Sequence, residues 1–126
     1  LYKDLVADIA RENGVDPFLA QAIVEISSGY NVNWEGISGA GLMQIGSDVG
    51  SEFGVRDSYN PRQNLMAGTK NLNKLTREFP GDLKAAVAAH LAGPEAVRNE
   101  GGVPNDREVQ RFVERVITVY QILKAN

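Results

Sequence analysis

The run Ala22-Ile23-Val24-Glu25-Ile26-Ser27-Ser28-Gly29-Tyr30-Asn31, followed by Gly39-Ala40-Gly41-Leu42-Met43-Gln44, decides how this chain is read. The first run ends an amphipathic helix. Phe18, Leu19, Ala22, Ile23 and Ile26 recur at three- and four-residue spacing. Asp16-Pro17 supplies an N-cap and a proline at the first helical position, and Ser28-Gly29 marks the stop. The second run lies within residues 29–58, a segment rich in glycine, serine and asparagine. It reads as loop with short helical turns around 42–45 and 48–53. A loop region packed on helices is a natural place for binding and catalytic groups.

Helical spacing continues on both sides. Leu5, Val6, Ile9 and Ala10 form an earlier stripe that Gly14 is placed to stop. Asn60-Pro61 repeats the cap-plus-proline signal. Leu65, Gly68, Leu72, Leu75 and Phe79 then predict a long helix to about residue 79. Pro80-Gly81-Asp82 breaks and recaps the chain. Leu83, Ala86, Val87, His90 and Leu91 form the next stripe, closed by Gly93-Pro94. A short turn holds Ala96 and Val97, residues 99–106 read as a polar loop, and Asp106 caps a last helix. That helix turns Val109, Phe112, Val113, Val116, Tyr120 and Leu123 inward. No strand alternation of useful length, repeat or linker is present. The expectation is one all-α domain over residues 1–126.

Composition sets bounds on function. The chain has 126 residues, 43 % of them apolar, no cysteine and one histidine, His90. Thiolate and multi-histidine metal sites are excluded, and no cofactor is expected. Thirteen basic against sixteen acidic residues give a formal charge of −3, which argues against nucleic acid as a partner. No apolar run approaches the ~20 residues of a membrane span. Starting at Leu1 without a hydrophobic leader, the chain reads as a mature or excised domain.

The two runs quoted first resemble the end of the catalytic helix and the glycine-leucine-methionine-glutamine signature of lytic transglycosylases of the soluble, goose-lysozyme-like type. The signature is one residue short here. Asn60-Pro61 through Asn64-Leu65, Ala67-Gly68 and Leu72 is similar to that family's next helix. Ala88-Ala89-His90-Leu91-Ala92-Gly93-Pro94 resembles its alanine-alanine-tyrosine-asparagine-alanine-glycine-proline segment, and Phe112-Val113 with Val116 fit its terminal helix. The resemblance runs from about residue 5 to 123 and implies a lysozyme-like helical domain with a substrate groove. It also implies cleavage of peptidoglycan between N-acetylmuramic acid and N-acetylglucosamine. In that family one glutamate protonates the glycosidic oxygen and then takes the C6 hydroxyl proton, closing a 1,6-anhydro ring. No second carboxylate is needed, in contrast to most glycosidases.

The resemblance fails at the chemistry. Ser28, Gly29, Tyr30 and Asn31 follow the family pattern, but Ser27 stands where it carries the glutamate. Glu25 is two residues away, about 200° around the helix. If Ser27 faces the cleft, Glu25 faces solvent. Glu35, in the loop, is an alternative acid whose plain reading is a solvated carboxylate. Tyrosine and asparagine of the family's segment are His90 and Leu91 here, a frequent tyrosine is Asn71, and an aromatic hydroxyl on the last helix gives way to Phe112. By the same resemblance Tyr30, Met43, Gln44, Asn71, His90 and Leu91 are the substrate-binding candidates. Met43 would be the cleft floor or plain core. Gln44 would bond the acetamido group. Tyr30 and Trp34 would stack on sugar rings or pin the loop.

His90 is read first as a hydrogen-bonded core or cleft-wall histidine, with a Ser27–His90 dyad as a sharper alternative. The expected function is a lytic-transglycosylase-like domain with catalysis lost or impaired. It would bind peptidoglycan glycan strands, chitin-type oligosaccharides or an envelope protein partner, in the periplasm or extracellular envelope of a bacterium. The alternative is an engineered knock-out or atypical active form.

Overall fold

Four helix starts are fixed by side-chain caps at the predicted residues. Asp16 accepts from the Phe18 amide at 2.9 Å, Asn60 from Gln63 at 3.0 Å, Asp82 from Ala85 at 3.0 Å and Asp106 from Val109 at 3.1 Å. Each satisfies an amide that a helix start leaves without a partner. A computed structural model describes residues 1–126 as seven helices: α1 (Lys3–Glu12), α2 (Pro17–Ser28), α3 (Ser47–Glu52), α4 (Pro61–Glu78), α5 (Leu83–Ala92), α6 (Pro94–Glu100) and α7 (Arg107–Ala125). The all-α expectation holds.

Helix α2 buries Leu19, Ala20, Ala22, Ile23 and Val24 and packs against α1 and α7. Helix α5 buries five consecutive residues, Ala85 to Ala89, so it is apolar nearly all round. It can afford this because α4, α6 and α7 surround it. Side chains such as Ile23, Leu65, Leu72 and Val87 are fully buried in one shared core. Each contributes about 1.5–3 kcal/mol relative to exposure.

Two local expectations change. The segment expected to form a helical turn at 42–45 is instead a tight turn at 41–44, flanked by antiparallel bridges of Ala40 with Glu35 and with Ile45. Gly41 at φ 79° and Gln44 at φ 55° leave the right-handed helical region, so no helix can propagate. The turn expected at Ala96 and Val97 is the longer helix α6. Asn99 and Glu100 are its last two residues, and the polar loop starts at residue 101. No helix is long and apolar enough to cross a membrane.

Candidate functional site

Three helices grip the Leu42–Met43 backbone, each through one side chain. From α2, the Ser28 hydroxyl lies 2.7 Å from the Leu42 carbonyl and 3.1 Å from that of Val24. From α4, Asn64 accepts the Met43 amide at 2.8 Å. Its amide nitrogen donates to Ala40 at 2.9 Å and to Ser58 at 2.8 Å. From α5, His90 Nε2 lies 2.8 Å from the Met43 carbonyl. A carbonyl only accepts, so Nε2 carries the proton and His90 is the Nε2–H tautomer. Nδ1 is buried without a partner. Burial pushes the imidazole below its usual pKa, against the opposing pull of the Met43 carbonyl. The ring also stacks on Phe112 of α7, with centroids 6.3 Å apart and planes 14° from parallel. Two side chains that the sequence reading set against the family pattern are therefore stacked on each other.

The end of α2 carries two more unpaired groups. Ser27 is only 4 % exposed, and its hydroxyl has no hydrogen-bond partner. Tyr30 follows Gly29 in the left-handed region, at φ 64° after 60°, a conformation rare for a side-chain-bearing residue. Its hydroxyl is buried and unpaired as well. Burial, reinforced by the nearby negative charge of Glu25, pushes the phenol up to about 12. Glu25 itself is exposed. Trp34 is half-buried and its ring covers Gly36, where a Cβ would come within 2.9 Å of Cζ3. It pins the loop.

Beside this clamp runs an open groove of about 1050 Å³. Its walls are the 35–40 hairpin, α3, the face of α4 that bears Asn71 and Lys74, and the α5–α6 junction. Four carboxylates line it, Glu35, Asp48, Glu52 and Glu95, against one cation, Lys74. Lys74 is already engaged by Glu52 at 2.8 Å. The Tyr59 hydroxyl donates to Glu35 Oε2, and this bond raises the Tyr59 pKa.

Of the sequence-derived candidates, Asn71, His90 and Leu91 line this groove. Ser27, Tyr30, Met43 and Gln44 do not. Met43 is fully buried, packed on Gly68 of α4, and so belongs to the core rather than the cleft floor. Gln44 is half-buried at the end of the turn. Nothing in the structure pairs Ser27 with His90, whose protonated nitrogen is committed to Met43. Sequence reasoning missed Tyr59. Its partner Glu35 is 24 residues away, and no local spacing announces the contact.

A helical domain with an open groove beside a glycine-bracketed turn is the class defined by this fold and site. The sequence model of the "Transglycosylase SLT domain" matches residues 4–113, and the chain belongs to that family. Among its relatives, the transglycosylase of Enterobacteria phage PRD1 is 28 % identical over 91 residues, covering 71 % of this chain and 34 % of the phage protein. The membrane-bound lytic murein transglycosylase F of Desulfosudis oleivorans is 26 % identical over 164 aligned positions, covering 98 % of this chain and 36 % of its own length. The chain thus spans about a third of each of these relatives. The lytic transglycosylase Slt of Pseudomonas aeruginosa, in an inactive mutant form, superposes with a TM-score of 0.80 at 21 % identity, over 98 % of this chain and 24 % of the other. The 70 kDa soluble lytic transglycosylase of Escherichia coli gives 0.80 at 22 %, over 99 % and 25 %. These structures share the fold.

Proposed function

We propose that this lytic-transglycosylase-like domain binds peptidoglycan glycan strands or similar β-linked acetamido sugars in its groove, with catalysis lost or strongly impaired. A relative named as a membrane-bound lytic murein transglycosylase supports the substrate class and a role at the bacterial cell envelope. The observation that carries the impairment is at the end of α2. Ser27, in the position the family motif gives to glutamate, offers a buried hydroxyl and no carboxyl. A hydroxyl is far too weak an acid to protonate a leaving oxygen at neutral pH, and it cannot afterwards serve as the base. Losing a positioned acid–base group costs roughly 10²–10⁴-fold. The glycine turns, caps and apolar core are intact, so the groove persists as a binding surface for a glycan or an envelope protein.

One observation favours a second reading, that of an atypical active form. Glu35 lines the groove, whereas Glu25 does not. Incubating the domain with purified peptidoglycan and analysing the released muropeptides separates the two. The proposed function expects no 1,6-anhydro products above background. Clear release that disappears in Glu35→Gln would assign the chemistry to Glu35. Equal release by both proteins would place it elsewhere and end the reading of an inactive domain.

A further inference from the structure

Five large apolar side chains are exposed on the surface, and two of them, Ile37 and Tyr59, line the groove. Both lie beside Glu35. Ile37 stands at the tip of the same hairpin, fully exposed, and Tyr59 is bonded to the Glu35 carboxylate. We propose that Tyr59, held in place by Glu35, is a stacking platform for one ring of a β-linked N-acetylhexosamine chain at this end of the groove.

The inference rests on the glycan-binding reading above and names where a sugar ring sits. A pyranose presents an apolar C–H face and a polar edge. The Tyr59 ring, 37 % exposed, offers the complementary apolar surface, and Ile37 extends it. The hydroxyl bond to Glu35 Oε2 fixes the ring before the ligand arrives, which reduces the ordering cost of binding. Glu35 Oε1 remains available to accept from a sugar hydroxyl or acetamido N–H, a charge-assisted bond. The groove is at the upper end of the range for compact small-molecule pockets, which suits an extended ligand. With four carboxylates against one already paired lysine, it disfavours an acidic chain and accepts a neutral one.

The test is titration with a chitin-type tetrasaccharide, read by calorimetry and by saturation transfer from protein to the sugar C–H protons. Tyr59→Ala should weaken binding roughly fivefold to tenfold, the scale of one aromatic contact, and remove transfer to one ring. Tyr59→Phe keeps the platform but frees it from Glu35, and should weaken binding by about twofold while keeping the transfer. Tyr59→Phe should melt close to the wild type, and Tyr59→Ala, which loses covered surface, is titrated well below its own melting temperature so that both proteins are compared folded. A wild type that binds while Tyr59→Ala binds within twofold of it would overturn the platform and leave the glycan reading standing. A wild type that shows no binding at millimolar sugar would overturn the glycan reading and the platform together.

Discussion

His90 donates from Nε2 to the carbonyl of Met43 at 2.8 Å, so the one histidine of the chain serves as a backbone clamp. The bond joins α5 to the turn that Asn64 and Ser28 hold from two other helices. A neutral imidazole is required, because its other nitrogen is buried with no acceptor for a second proton.

This clamp makes stability depend on pH with a definite sign. Burial lowers the His90 pKa from its ordinary 6.5 in the folded chain. Between the two values the unfolded chain binds more protons. The contribution is therefore complete above about pH 6.5 and is lost as pH falls toward the folded value, by at most about 1.4 kcal/mol per unit. His90→Gln keeps a donor for Met43 but cannot titrate. Urea midpoints at pH 7.5 and 5.5 should show the wild type losing more stability than the variant. Parallel losses would show that His90 is not held neutral.

Asn64 is the second clamp and should be the costlier to remove. It is fully buried and makes three hydrogen bonds to the backbone of residues 40, 43 and 58. Asn64→Ala leaves the Met43 amide and the Ser58 carbonyl without partners, while the Ala40 carbonyl keeps the Ile45 amide at 3.1 Å. Each unsatisfied buried group costs about 1–3 kcal/mol, so a loss of about 2 kcal/mol or more is expected in denaturant unfolding. Asn64→Asp should cost at least as much at neutral pH, because a buried carboxylate oxygen would face the carbonyls of Ala40 and Ser58, and should recover as pH falls and the carboxyl can again donate.

Much of this architecture was legible because it is local. Asp16, Asn60, Asp82 and Asp106 announce their helices within three residues, and each makes the expected bond. The turn at 41–44 was misread because its apolar spacing is helical, while the left-handed backbone of Gln44 comes from the bridges of Ala40 to Glu35 and Ile45. Met43 was equally ambiguous as core or cleft, and its full burial against Gly68 of α4 decides it. The groove rim was not legible, since Glu35 and Tyr59 meet through tertiary packing alone.

Gly68 gives a sharp test of that packing. A Cβ there would sit 2.9 Å from Met43 Cβ, which lies next to the backbone and cannot swing away as the thioether can. Alanine is worth about 1 kcal/mol over glycine inside a helix, while overpacking costs about 1–3 kcal/mol. Gly68→Ala should therefore be net destabilising, and it should move the amide resonances of residues 42–44. A stabilised variant with those resonances unmoved would show that Met43 has room to yield.

Ser27→Glu tests the proposed loss of catalysis directly. Ser27 is nearly fully buried, so the new carboxyl would be desolvated and its pKa raised, as a general acid requires. The same burial predicts a cost. The folded form would hold its proton to higher pH than the unfolded one, so the variant should lose stability as pH rises from 5 toward 8. Proton affinity alone does not give rate. The Ser27 hydroxyl has no hydrogen-bond partner, so no donor is already aimed at this position to orient a new carboxyl, and the His90 Nε2–H is spent on Met43. Poor placement costs about 10²-fold or more by itself. The single variant should release few anhydro-muropeptides, and Ser27→Glu with His90→Tyr and Leu91→Asn should release more, counted by mass spectrometry against equal folded protein. Full turnover from Ser27→Glu alone would mean that the remaining groove is already competent. Ser27 would then be the one residue that limits turnover, and Asn71, His90, Leu91 and Phe112 would be compatible with the chemistry as they stand.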